Sequence, residues 1–321
     1  MKNTIYTAGL ILLILSATGC STPYKSVKSL KTMDEMEYRH ETKKVRLPLS
    51  GYEIAYTDEG SGEKTIVFIH GLGSYSQAWV KNVDALGTDF RCISVDLPGY
   101  GKSSKEPHSG MMTFYADVVN ELINVLQLKN VYWAGHSMGG QISITAALTH
   151  PENVQGLILV SPAGFETFHK GQRQWFRDVM TLDGVALTTP EAIQNNLASN
   201  FYRLPEDADF MIADRMAMRT ADDFKAYCYA VVQSVGGMVD NPVSDYLKDI
   251  DVPTLIFFGE EDNLIPNRYL NPGRTSDVAE SGSRKIRNSK LIMVPKTGHF
   301  MMFEKSEVFN REVKTFLNQV K

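Results

Sequence analysis

The chain has 321 residues, 43% hydrophobic and 22% charged, and its 37 acidic and 33 basic side chains leave a formal charge of −4. That profile fits a folded protein with a sizeable core and argues against a disordered or fibrous chain. No basic stripe runs along it, which removes nucleic acid as an expected partner.

The N-terminus has Lys2, an almost wholly apolar run over residues 5–15, and then Ser16-Ala17-Thr18-Gly19-Cys20. The run is too short to span a bilayer comfortably and reads as the apolar region of a secretory signal, residues 1–19. Small residues ahead of a cysteine resemble the lipobox of bacterial lipoproteins, although Ala17 stands where leucine is usual. The resemblance implies that Cys20 is acylated, becomes the mature N-terminus and anchors an exported protein to a membrane of the cell envelope. Residues 20–45, rich in Lys, Ser, Thr and Glu, then read as a tether with room for a short helix over 33–38. The remaining cysteines, Cys92 and Cys228, are scattered and read as buried free thiols rather than a disulfide framework.

Beyond residue 50 the pattern changes. Residues 52–56 alternate as a half-buried antiparallel strand would, and 65–69 form the continuous apolar run of a strand covered on both faces. A third strand over 91–95 ends in the turn Asp96-Leu97-Pro98-Gly99-Tyr100-Gly101. Val118, Val119, Leu122, Ile123 and Leu126 recur at helical spacing within 112–126. Strand 131–134, helix 138–148 and strand 157–160 follow, and this alternation predicts a parallel sheet with right-handed crossovers. From 165 to about 246 only helices are predicted, an insertion of roughly eighty residues and too long for a plain loop. Strand signals return at 253–258 and 291–294, and a helix over 306–320 closes the chain.

Gly135-His136-Ser137-Met138-Gly139 fits G-x-S-x-G and sits between a predicted strand and a predicted helix, the context that pattern requires. A sharp strand-to-helix turn there forces Ser137 into a strained conformation, and glycines flank it because side chains would collide with the neighbouring elements. The helix that follows aims N–H groups at developing negative charge. His299, after Gly298 at the end of the last strand, is the expected base; His70 and His136 are read as structural. For the orienting acid Asp262 is preferred, with Glu260, Glu261 and Asp96 as alternatives. Catalytic groups in open α/β sheets gather at the carboxyl ends of strands. No clustered His/Cys/Asp spacing calls for a metal, and no cofactor is expected.

These pieces, together with His70-Gly71-Leu72-Gly73 and the run from Gly139-Gly140-Gln141 through Pro151 to Val160-Ser161-Pro162-Ala163-Gly164, resemble the α/β-hydrolase superfamily. The likeness is greatest to a branch of monoacylglycerol-lipase-like esterases and meta-cleavage-product hydrolases. It implies an eight-stranded, mostly parallel sheet over residues 46–164 and 247–321, with a helical cap over 165–246. It also implies an oxyanion hole made by the N–H groups of Leu72 and Met138. One departure is the stretch 270–288, where Asn271-Pro272-Gly273-Arg274 and Ser281-Gly282-Ser283 stand in place of an ordinary helix, leaving either a loop or an atypical helix.

The implied chemistry is two-step acyl transfer: Ser137 attacks a carbonyl, His299 moves the proton, and Asp262 fixes the imidazole tautomer. The expected substrate is a small-molecule or lipid ester with an apolar acyl group, because the insertion is rich in Trp175, Phe176, Phe201, Tyr202, Phe224 and methionines. A carbon–carbon bond hydrolase of the meta-cleavage type and a non-catalytic envelope lipoprotein are the competing expectations.

Overall fold

The computed structural model describes residues 27–320. Its centre is one eight-stranded sheet. The strands are β1 (Lys43–Arg46), β2 (Glu53–Glu59), β3 (Thr65–Ile69), β4 (Arg91–Val95), β5 (Val131–His136), β6 (Gly156–Val160), β7 (Thr254–Gly259) and β8 (Ser289–Val294). Their spatial order is β1-β2-β4-β3-β5-β6-β7-β8. The pairs β1–β2 and β2–β4 are antiparallel and the other five are parallel. This is the mostly parallel eight-stranded α/β arrangement expected from the sequence. β3, β5, β6 and β7 are buried at every position, which is why their sequences run apolar without alternation.

Helices cover both faces. Val67 and Ile69 pack on one side with α2 (Met112–Val125) and α3 (Met138–Thr149). Ile66 and Phe68 pack on the other with α1 (Val80–Leu86) and the C-terminal helix. Between β6 and β7 lie α4 (Lys170–Val179), α5 (Leu182–Ala186), α6 (Pro190–Ala198), α7 (Asp209–Met218) and α8 (Phe224–Asp240). The chain then adds α9 (Thr275–Lys285), α10 (Met301–Glu304) and α11 (Ser306–Gln319). α9 resolves the atypical stretch: its second half is helical despite Ser281-Gly282-Ser283. A side chain at Gly282 would stand 2.0 Å from the Phe165 ring, so that ring uses the space a larger residue would fill.

One expectation needs correction. The segment read as a tether is, from residue 27 onwards, a packed strap. Leu30, Met33 and Met36 are buried, Met33 and Glu35 bound a single 3₁₀ turn, and β1 already begins at Lys43. The strap grips the helical insertion: Leu30 N–H donates to Thr220 Oγ1 at 2.8 Å, Met33 N–H to Asp223 Oδ1 at 3.0 Å, and Asp222 N–H to the Lys31 carbonyl at 2.8 Å. It also grips the core, where Tyr38 OH donates to Asp96 Oδ2 at 2.7 Å and Arg39 N–H to Gln77 Oε1 at 2.8 Å. Three apolar side chains in a polar stretch outweigh its composition, because burial of each contributes about 1.5–3 kcal/mol. The signal region and Cys20 lie outside the described residues. Among the described residues no helix is long and apolar enough to cross a membrane.

Candidate active site

Ser137 stands at the turn from β5 to α3 with φ 54° and ψ −115°, a backbone conformation that costs energy for a residue with a side chain. The surroundings impose it. Ser137 N–H donates to the Val160 carbonyl at 2.9 Å, while the Ser137 carbonyl accepts from Gly140 and Ala163 N–H, each at 2.9 Å. The flanking glycines are required by contact: a Cβ at Gly135 would lie 2.2 Å from the Gly139 carbonyl oxygen, and one at Gly139 would lie 2.2 Å from that of Ile69. α3 starts immediately after Ser137, so Met138 supplies the first of its unsatisfied N–H groups. Leu72 lies in the facing loop, in the wall of the same cavity as Ser137. Among the hydrogen bonds of the described residues, none uses the N–H of Leu72 or Met138.

His299 and Asp262 follow β8 and β7, and their side chains are 3% and 0% exposed. His299 Nδ1 and Asp262 Oδ2 are 2.7 Å apart. The other carboxylate oxygen accepts from Leu264 N–H at 2.8 Å and Ile265 N–H at 3.1 Å. With Nδ1 donating, the neutral ring keeps Nε2 as a base. The two rival acids nearby are placed differently: Glu261 accepts from Thr297 N–H at 2.9 Å, steadying the histidine loop, and Glu260 is exposed. Asp96 is buried among its own donors. It accepts from Ser76 N–H at 2.7 Å, Lys102 N–H at 2.8 Å and Tyr38 OH at 2.7 Å. No hydrogen bond joins Ser137 Oγ to His299 among the described contacts, but both residues wall the same two cavities.

The histidines read as structural are placed accordingly. His70 Nδ1 donates to the Gly71 carbonyl at 2.8 Å and Nε2 accepts from Leu97 N–H at 3.2 Å, holding the Leu72 loop. His136 Nε2 donates to the His299 carbonyl at 3.1 Å, and among the described contacts His136 makes no hydrogen bond to Ser137. Burial pushes both rings toward the neutral form.

Two residues that sequence reasoning missed complete the setting. The Glu304 carboxylate accepts from Gly298 N–H at 2.8 Å, Arg203 N–H at 2.9 Å and Tyr202 N–H at 3.1 Å, tying the histidine loop to the insertion. Arg215 of α7 reaches over the Leu72 loop, donates to the Gly73 carbonyl and lies 5.1 Å above the Tyr227 ring. Nothing in the local sequence marks either one, since the groups they join to the site, Tyr202 and Arg203 for Glu304 and Gly73 for Arg215, lie far along the chain.

The cavities differ in character. One, of about 200 Å³, has Ser74, Tyr75, Asn196, Asn200 and Arg215 in its wall and no carboxylate side chain among the described lining residues. The other, of about 280 Å³, is mainly apolar, with Phe168, Phe176, Met180, Val235, Val239 and Pro242. The arrangement offers a serine oxygen, an imidazole fixed by a buried carboxylate, two N–H groups without a partner among the described residues, and two mainly apolar recesses, one of which also carries Arg215, Asn196 and Asn200. Among the described residues no group of three or more His, Cys, Asp or Glu side chains is placed to hold a metal ion. Cys92 and Cys228 are free, buried thiols.

A family model of the alpha/beta hydrolase fold matches residues 64–306. The chain belongs to that family. It is 28% identical over 279 residues to a 2-hydroxy-6-oxononadienedioate/2-hydroxy-6-oxononatrienedioate hydrolase of Paraburkholderia phymatum, covering 83% of this chain and 91% of that protein. It is 25% identical over 292 residues to a probable 1-acylglycerol-3-phosphate O-acyltransferase of Oryza sativa, covering 80% of this chain and 67% of that protein. Among solved structures it is similar to an esterase from Exiguobacterium antarcticum, with a TM-score of 0.73, 25% identity, and coverage of 87% of this chain and all of the other (100%).

Proposed function

We propose that the protein hydrolyses carboxylic esters with an apolar acyl group through an acyl-enzyme on Ser137. The observation that carries this reading is the meeting of two recesses at a strained serine beside an imidazole whose Nδ1 is held by a buried carboxylate. In the forward step Ser137 Oγ attacks the carbonyl carbon while His299 Nε2 takes its proton. Asp262 holds the tautomer and stabilises the imidazolium. The N–H groups of Leu72 and Met138 stabilise the oxyanion, each worth about 2.7–4 kcal/mol where such donors have been removed. The imidazolium then protonates the departing alcohol, and water repeats the sequence to release the acid. Serine, imidazole and carboxylate suffice for this chemistry without a metal or cofactor. The apolar recess suits the acyl group, since each methylene buried contributes about 0.8 kcal/mol.

A second reading has one observation of its own. Arg215 brings a cation to the recess it shares with Asn196 and Asn200, which favours a substrate carrying a carboxylate or phosphate, and one relative is named for a dioate substrate. A carbon–carbon hydrolase acting on a vinylogous diketone acid fits that recess. Rates on p-nitrophenyl esters, measured beside a ring-cleavage diketone, separate the two. Rapid ester turnover supports the first reading, turnover of the diketone alone supports the second, and neither reaction leaves a non-catalytic protein.

Acylation at Cys20 and export to a cell-envelope membrane belong to the same proposal and rest on the sequence pattern. Cys20→Ala is expected to release the protein from membranes in fractionated cells. A wild-type protein that is unacylated and water-soluble contradicts the anchor.

A further inference from the structure

A third cavity, of about 430 Å³, lies between the helical insertion and the Leu72 loop, and Ser137 is not in its wall. Val185 of α5, Ile193 and Leu197 of α6, and Phe224 and Val231 of α8 give it an apolar lining. It shares Leu72, Gly73, Asn196, Leu197 and Arg215 as walls with the cavity at Ser137. Leu72 also walls the apolar recess, so it is common to all three spaces.

Some polar groups of this third cavity are engaged: the Arg215 guanidinium and Tyr227 OH both donate to the Gly73 carbonyl, the latter at 3.1 Å, and Thr188 Oγ1 donates to the Gly184 carbonyl at 2.9 Å. An apolar ligand can therefore lie against Tyr227 and Thr188 without stranding their hydroxyl donors. The outer end is not closed, because Gly184 and Ala192, which line it, are exposed. The cavity is thus a cleft that adjoins the catalytic cavity through their shared walls and reaches the surface of the insertion near α5 and α6.

We propose that this cleft is an open-ended subsite for the distal part of a long acyl chain whose ester group lies at Ser137. The proposal rests on the ester reading above and extends it from apolar acyl groups to long ones. A closed pocket sets an upper length, beyond which the rate falls. An open cleft does not: each methylene inside it raises kcat/KM about fourfold, the factor that ~0.8 kcal/mol corresponds to. Methylenes that emerge add nothing, so the profile rises and then levels.

The test is kcat/KM of the full chain on p-nitrophenyl esters of four to sixteen carbons, for wild type, Val185→Phe and Val185→Ser. Phenylalanine fills the cleft and serine makes its wall polar without adding bulk. The wild type should rise to a plateau, and both variants should lower the sixteen-to-four-carbon ratio at least tenfold. Val239→Phe, which narrows the other apolar recess, should lower it less. A wild-type rate that falls steeply at long lengths, an unchanged ratio in both Val185 variants, or a larger loss in Val239→Phe overturns the cleft.

Binding of hexadecanoate to Ser137→Ala by calorimetry reads the cleft without turnover. Adding Val185→Phe should weaken that binding at least tenfold. If wild type cleaves no ester while this loss is seen, the ester reading fails and the cleft stands. If the binding is absent or insensitive, the cleft fails whatever the turnover.

Discussion

α3 and α4 show how differently the two halves of this molecule are built. Ten of the twelve residues of α3, directly after Ser137, are buried, whereas no residue of α4, in the insertion, is. α3 is wedged against β3, β5 and β6, so backbone contacts dictate its glycines and the strained serine. α4 presents Phe176 to the apolar recess, with Met180 just after it, and leaves Trp175 and Val179 in solvent. On the proposed reading the core holds the reacting groups in place, while the insertion shapes what reaches them. Changes in the core should therefore act on kcat or on stability, and changes in the insertion on the choice of substrate.

The largest effect is expected at the core dyad. Asp262→Asn presents an amide to His299 Nδ1 and favours the wrong tautomer, and a loss of about 10⁴-fold in kcat with little change in KM is expected. A near-wild-type kcat would move the acid elsewhere. Next comes Glu304, where core and insertion are joined. Glu304→Ala frees three N–H groups and lets the histidine loop shift, and displacement by about 1 Å can cost about 10²-fold. The fall should appear in kcat more than in KM, and Glu304→Gln, which keeps an acceptor, should recover part of it. Equal losses in both parameters would mean the residue only supports the insertion.

Asp96→Asn should instead act on stability. An amide cannot accept from Ser76, Lys102 and Tyr38 with both ends at once, so one N–H loses its partner at a cost of about 1–3 kcal/mol. Chemical denaturation should show that loss while kcat of the folded fraction holds. A drop in kcat without a drop in stability would give Asp96 a part in the chemistry.

The smallest effect, in pH, separates the two halves by sign. In the core, burial lowers the pKa of His70, His136 and His108, the last to about 4. Unfolded, each titrates near about 6.5, so the unfolded chain binds more protons below that pH. Their contribution is complete above about 6.5 and is lost as pH falls. In the insertion, burial pushes Asp214 up to about 6. Its contribution runs the other way, present at low pH and lost as pH rises through about 6. Burial also raises Glu166 of the insertion, in the same sense as Asp214; three groups outweigh two, and Tm should fall by a few degrees from pH 7 to pH 5. His108→Leu should flatten that slope, and Asp214→Asn should steepen it. A Tm that rises on acidification would contradict the assignment.

Legibility in the sequence followed the same division. The G-x-S-x-G turn, the long apolar strands and the histidine after the last strand could be read because sheet geometry leaves few residue types that fit. The strap over 27–45 was misread because its three buried residues, Leu30, Met33 and Met36, are scattered in polar sequence and join no long helix or strand. Their spacing of three was the signal available. α9 was obscured because Gly282 is there for the Phe165 ring and not for helix propensity. Arg215 and two of the three bonds of Glu304 involve backbone groups a hundred or more residues away, beyond any local pattern.

The central claim is that Ser137 is the nucleophile. The direct measurement is covalent labelling of the full chain with a fluorophosphonate, followed by intact mass and peptide mapping. One adduct per chain, located on Ser137 and absent from Ser137→Ala, is the result expected. A chain that stays unlabelled, or a Ser137→Ala variant that takes up the probe to the same extent, would contradict it.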